Sequence, residues 1–203
     1  MVYKLLDLFC GAGGCSAGYH KAGFECIGID NKPQPNYPYE FIESDAIEFD
    51  IPKDIDIIHA SPPCQKYSWA ARRWKNIERV DLIPSTRQKL QMSGKPYIIE
   101  NVIGAPLIKP ITLCGKMFDL RVIRHRLFES NTYLSQPQHL PHNGTVRNHD
   151  YCTVAGHGGD GKSNLKLWKE AMDIDWMTRK EIIQAIPPAY TYYIGKQLMN
   201  YLQ

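Results

Sequence analysis

Tyr3-Lys-Leu-Leu-Asp-Leu-Phe9, followed by Cys10-Gly-Ala-Gly-Gly14, is the stretch that decides the fold. The apolar run reads as a strand, and the glycines as a tight turn opening a helix through Tyr19. Phe24-Glu-Cys-Ile-Gly-Ile29 reads as a second strand ending at Asp30, an acid about 20 residues beyond the turn, which is the spacing of a nucleotide-binding βαβ unit. The glycines permit a sharp turn and close approach of backbone to a ligand. Asp30 stands where a carboxylate accepts hydrogen bonds from ribose hydroxyls. Gly11-x-Gly13-Gly14 lacks the third glycine of a pyrophosphate cradle, so the unit is not a dinucleotide fingerprint. The same glycines also serve a chain that merely turns.

The 203 residues are enough for one core, or one domain with a small appendage. A net charge of +3 is mild and selects no partner by itself. No apolar run reaches the length needed to span a bilayer. Met1-Val-Tyr-Lys leads straight into a strand, so no signal peptide is expected. Cys10, Cys15, Cys26, Cys64, Cys114 and Cys152 lack a framework spacing, which fits reduced thiols in a cytoplasmic protein.

Outward from the first unit, residues 31–39 read as a loop rich in proline and asparagine. Asp45, in Glu43-Ser-Asp45-Ala-Ile47, is a second acid near the same edge, placed either to accept from an adenine amino group or to cap a turn. Residues 54–60 read as a buried strand that delivers Ser61-Pro-Pro-Cys-Gln65 to the carboxyl edge of the sheet, where open α/β folds put their chemistry. The prolines stiffen the loop before Cys64. A small buried hydrophobe is the plainer reading of that cysteine. Lys66-Tyr-Ser-Trp-Ala-Ala-Arg-Arg-Trp-Lys75 interleaves basic and aromatic residues, as phosphate contacts and base stacking require, or as a solvated loop also shows.

Residues 84–92 read as a helix and 95–102 as a strand delivering Glu100 and Asn101 at its carboxyl end. Packing does not explain a glutamate there, because an unpartnered buried carboxylate is costly. Strands are expected at 111–115 and 122–128, with Arg124 and Arg126 sharing one face. Two guanidiniums so placed pair with carboxylate, phosphate or a polar base edge, or stitch the sheet with an ordinary ion pair. Residues 130–165 lose periodicity and read as a small irregular insertion. Within it His139-x-x-His142 and His149-x-x-Cys152 have donors that can ligate zinc, although no metal is assigned to the chemistry. The glycine-rich run 156–161 reads as a loop. Thr178-Arg-Lys-Glu181 is a capping box opening a helix that stops at Pro187-Pro188, and residues 190–203 form a last helix with Ile194, Leu198, Tyr201 and Leu202 as its apolar stripe.

Asp7-Leu-Phe-Cys-Gly-Ala-Gly-Gly14, Ser61-Pro-Pro-Cys-Gln65, Glu100-Asn-Val102 and Arg124-His-Arg126, in this order, resemble the cytosine-C5 DNA methyltransferase family, in a form similar to small phage-borne members. Gln184-Ala-Ile-Pro-Pro-Ala-Tyr190 through Gly195 looks like the family's closing motifs, so the resemblance covers residues 1–129 and 153–203. It implies an α/β fold, a Rossmann-like and mostly parallel S-adenosylmethionine-dependent methyltransferase sheet with helices on both faces. It divides the chain into a catalytic and cofactor-binding core (1–129), a reduced target-recognition insertion (130–165) and C-terminal helices returning to the core (166–203). It implies S-adenosylmethionine beside Phe9, Gly11, Gly13 and Pro63, with Asp30 at the ribose and Asp45 at the adenine.

The resemblance also implies double-stranded DNA as partner and a cytosine flipped into the Cys64 pocket. Cys64 would add to the base, Glu100 would hold its amino edge and N3, Arg126 would polarise O2, and Arg124 would support the acid or the pocket wall. Gln65, Tyr67, Ser68, Arg72, Arg73 and Lys75 would belong to a lid touching DNA. Val122 replaces a glutamine common in the family, and Lys196 an asparagine, which bears on the pocket wall and the finer cofactor contacts. The short insertion implies a short recognition sequence, or recognition shared with a second copy or a partner protein. A catalytically silent DNA-binding module, an RNA cytosine methyltransferase and a nicotinamide-dependent oxidoreductase are the rival readings. The last gives Cys64 no task and wants the missing glycine.

Overall fold

The computed structural model describes residues 2–67, 80–139, 141–144, 150–154 and 164–203. Its centre is a seven-stranded sheet built from β1 (Lys4–Leu8), β2 (Glu25–Asp30), β3 (Glu40–Glu43), β4 (Ile57–Ala60), β5 (Tyr97–Asn101), β6 (Ile111–Leu113) and β7 (Arg126–Ser130). The order is β3-β2-β1-β4-β5-β7-β6. The five strands from β3 to β5 run parallel, and β7 is antiparallel to both of its neighbours. The mostly parallel α/β sheet expected from the sequence is therefore present.

Successive residues of the central strands enter different cores, as the two-residue period of a strand demands. Leu5, Ile57 and Ile98 pack on one face, with Tyr19, Phe24, Tyr190, Ile194 and Leu198. Leu6, Ile58 and Ile99 pack on the other, with Leu90. Helices α1 (Gly14–Ala22) and α5 (Pro188–Leu202) thus cover the first face, and α2 (Ile83–Met92) covers the second. Double coverage is why β1, β4 and β5 read as continuous apolar runs. Helices α1 and α5 touch at backbone distance: a Cβ on Gly18 would lie 2.1 Å from the Pro188 carbonyl oxygen. Helices α3 (Leu165–Met172) and α4 (Arg179–Ile182) contribute to a third cluster, where Trp168, Met172 and Ile182 meet Ala12, Val122 and Val154. Among the described residues, no helix is long and apolar enough to cross a membrane.

Four expectations need correction. Strand β3 arises inside a stretch read only as the approach to Asp45, because four residues with charged ends carry no apolar signature. The strand expected over 122–128 begins only at Arg126. Val122 instead forms an isolated bridge to Cys152, and the Cys152 amide donates to the Arg121 carbonyl at 2.7 Å. The insertion thus takes over the backbone before β7, so Arg124 and Arg126 do not share a strand face. The capping box at Thr178 is formed, but α4 ends at Ile182, five residues short of Pro187. Ile194 and Leu198 are buried on α5 as expected, whereas Tyr201 is 61% exposed and Tyr190 takes the core position.

Candidate active site

Three strand ends meet at the carboxyl edge of the sheet. From β4 the chain passes through Ser61-Pro62-Pro63 into a short 3₁₀ turn, Cys64–Lys66, which leaves Cys64 half-buried at its start. Asn101, the last residue of β5, donates from Nδ2 to the Pro62 carbonyl at 2.9 Å and ties this loop to its neighbour. Glu100 is 5% exposed, and Arg126 Nε lies 3.1 Å from its Oε1. That carboxylate oxygen has no hydrogen bond among the described residues and is held by the ion pair alone.

The electrostatics follow from burial and these neighbours. Burial pushes the Glu100 carboxyl above the usual range, opposed by Arg126, Ser61 and Arg124. Burial also raises the Cys64 thiol, opposed by Arg126, while the Glu100 charge adds to the rise. Cys64 is therefore a thiol at rest rather than the activated thiolate that an electropositive setting alone would give.

Beneath the site lies a buried polar chain not singled out from the sequence. Tyr19 Oη and His59 Nδ1 are 3.0 Å apart, and His59 Nε2 and Ser61 Oγ 2.9 Å apart. Burial lowers His59 to about 3, so it is neutral near pH 7. Asp7, wholly buried in β1, accepts from the Ser16 hydroxyl, and burial raises its carboxyl to about 7. A lone polar residue inside an apolar strand was the signal available for both.

Arg124 gives its hydrogen bonds to backbone carbonyls rather than to Glu100. Its Nη1 donates to the Val154 carbonyl at 3.0 Å and its Nη2 to the Ile183 carbonyl at 2.7 Å, while Tyr190 Oη donates to the Arg124 carbonyl at 2.6 Å. It braces the wall by tying the insertion to the C-terminal segment.

The glycine turn lies along the same edge. Phe9, Gly11 and Gly13 all have positive φ, a conformation that costs a phenylalanine energy and tends to mark functional turns. A Cβ on Gly11 would meet nothing within 4 Å, so the backbone there faces open space. Gly13 is closed by Tyr37, 2.9 Å from such a Cβ. Asp30 accepts from the Gly11 amide at 3.1 Å and the Lys32 amide at 3.2 Å, which fixes its carboxylate at the mouth of the turn. Asp45 sits two residues beyond β3, and its Oδ1 caps a turn by accepting from the Ile47 and Glu48 amides. Open backbone, positive-φ turn and fixed acid fit a ligand carrying a ribose.

Gln65 is exposed beside Cys64. Tyr67 donates its hydroxyl to Asp81, which also pairs with Lys66 at 3.4 Å. Ser68, Arg72, Arg73 and Lys75 lie outside the described residues, as does His149.

The family model described as C-5 cytosine-specific DNA methylase matches residues 3–105, half of the chain. The Type II methyltransferase M.HgiGI of Herpetosiphon aurantiacus is 33% identical over 120 residues, which cover 52% of this chain and 95% of that protein. M.AgeI of Thalassovita gelatinovora is 32% identical over 120 residues, 50% of this chain but 28% of its own length. The chain thus spans well under half the length of that relative, and the same holds for M.HgiDI of Herpetosiphon aurantiacus, at 39%. Solved structures share the fold across its whole extent. A prophage-encoded protein of E. coli, described only provisionally as a DNA modification methyltransferase, superposes with a TM-score of 0.67 at 15% identity, covering 98% of this chain and 99% of that one. The Entamoeba histolytica methyltransferase EhMeth gives 0.61 at 13% identity, covering 100% and 99%. With the glycine turn and the Ser61–Gln65 loop both inside the matched segment, the chain belongs to the C-5 cytosine-specific DNA methylase family.

Proposed function

We propose that the protein is a DNA (cytosine-5-)-methyltransferase, acting on duplex DNA in the cytoplasm of a bacterial or phage-infected cell. The observation that carries this reading is the Glu100–Arg126 ion pair at the strand ends beside Cys64. A thiol, a buried acid and a guanidinium are the groups that addition to a pyrimidine needs.

A cytosine inside a duplex is shielded by stacking, so the base must be extruded to reach Cys64. Its carbon 5 is a poor nucleophile. Once the Cys64 thiol has released its proton to water, attack of the sulfur on carbon 6 pushes electron density to carbon 5, splitting one hard step into easier ones. Glu100, which burial inclines toward keeping its proton, holds the N3 and amino edge as charge develops there, and Arg126 polarises O2. Once carbon 5 carries the methyl group, loss of its proton to water and expulsion of the Cys64 sulfur as thiolate would release 5-methylcytosine. S-Adenosylmethionine supplies a sulfonium methyl group in this chemistry. Phe9, Gly11 and Gly13 would form its cradle, Asp30 would hold the ribose, Asp45 the adenine and Pro63 the approach to the base. Residues 65–79 would serve as the lid, with Gln65, Tyr67 or Ser68 filling the vacated stack. The insertion at 130–165 reads a short sequence, alone or with a second copy or partner.

The test is incubation with labelled S-adenosylmethionine and either duplex DNA or RNA, followed by digestion to nucleosides. Label in 5-methylcytosine from DNA, abolished by Cys64→Ser, is the expected result. Label from RNA alone would move the substrate class. No label from either, with the donor bound, would make the chain a silent member of its family.

A further inference from the structure

We propose that Cys114, His125, His139 and His142 form a structural zinc site that clasps the insertion to the strand carrying Arg126. One donor atom from each of the four residues falls within a mutual distance of 4.8 Å. Cys114 Sγ and His142 Nε2 are 3.4 Å apart, and His125 Nε2 and His139 Nε2 are 3.3 Å apart. A tetrahedral zinc ion with Zn–N of about 2.0–2.1 Å and Zn–S of about 2.3 Å sets its nitrogens about 3.3 Å apart and sulfur and nitrogen about 3.6 Å apart. Two edges of the tetrahedron are thus already near their bound length. The remaining pairs, up to 4.8 Å, need only modest side-chain rotation.

Hydrogen bonding accounts for each pair separately. It does not account for three imidazoles and a thiol facing one point with ring centroids 4.8–5.2 Å apart. The donors come from separate parts of the chain. Cys114 directly follows β6, His125 directly precedes β7, and His139 and His142 stand in the insertion. Cys114 is fully buried, the other positions open progressively to an exposed His139, and this gives an ion a path inward.

A soft thiolate with three imidazoles selects zinc over magnesium or calcium, which prefer oxygen. Four protein donors leave no open position, so the ion would be structural, not catalytic. Its consequence reaches the active site through the backbone, because His125 lies directly before Arg126 and its carbonyl accepts from Arg126 Nη1 at 2.9 Å. This donor set replaces the one expected from the insertion alone. Cys152 bridges to Val122 instead, and its Sγ lies 3.9 Å from the Leu167 carbonyl.

The experiment uses the full chain, with elemental analysis after purification and cobalt titration of chelator-treated, reduced protein. One zinc per chain is expected, together with a thiolate-to-cobalt charge-transfer band that zinc displaces. Cys114→Ser should lose the band, Cys152→Ser should keep it, and His139→Ala should weaken binding at least tenfold. His139 is exposed, so that variant should retain the wild-type circular dichroism and carries the test if Cys114→Ser fails to fold. Absence of metal and band from the wild-type chain, persistence of the band in Cys114→Ser, or unchanged affinity in His139→Ala would each overturn the site. None of these readouts depends on methyl transfer.

Discussion

One buried acid and one thiol give the molecule a pH dependence that can be followed residue by residue. Asp7 titrates near 7 in the folded chain because burial disfavours its charge; an unfolded aspartate titrates near about 3.9. Between those values the folded chain holds a proton that the unfolded chain has released, so stability falls as pH rises from about 4 to about 7. Asp7→Asn removes this dependence. Between pH 5 and 8 the wild type is expected to lose on the order of 2 kcal/mol relative to the variant in urea titrations, and parallel curves would refute it. Cys64 offers a second check. Its thiol is raised, so alkylation by iodoacetamide, followed at that peptide by mass spectrometry, should climb about tenfold per unit between pH 6 and 8. A plateau below pH 8 would mean a thiolate already formed. Neither shift was legible from residue types, because both depend on what the fold stacks above and beside each group.

At the level of elements, the first βαβ unit and the strand ends at Cys64 and Glu100 were readable because each is a local pattern. A glycine cluster ends an apolar run, and a polar residue terminates another. The pairing of Glu100 with Arg126 was not. It depends on β7 running antiparallel beside β5 with Glu100 opposite Phe128, a register set by the whole sheet. Arg124 misled for the related reason that alternation was extrapolated back past a point where the insertion captures the backbone. The α1–α5 contact is sharper than any helix periodicity implied. Gly18→Ala would drive a methyl group to 2.1 Å from both the Pro188 carbonyl oxygen and Thr191 Oγ1. Overpacking of this kind costs about 1–3 kcal/mol and more where backbone must move. A melting temperature lowered by several degrees is expected, and an unchanged one would mean the helices separate freely.

Across the whole molecule, the proposed catalytic groups and the proposed DNA contacts come from different stretches. Cys64, Glu100 and Arg126 are rooted at three strand ends, whereas the basic and aromatic run after Lys66 lies mostly outside the described residues. If that run grips phosphates, Arg72→Ala with Arg73→Ala should weaken duplex binding equally for all sequences and reduce the salt slope by about 0.9 per lost contact. Unchanged affinity across a salt series would remove the run from the interface. Composition could not locate this surface, since a net charge of +3 is spread over the entire chain.

The interlock of α1 with α5 also bears on how the chain is born. Residues 14–22 leave the ribosome early, but the partner that shields Tyr19 and Phe24 is made only with residues 188–202. Until then the apolar face that α5 covers is open to solvent, a state prone to clump. A translation intermediate halted before residue 188 should be cut readily by protease, and release of the last helix should end that vulnerability in one step.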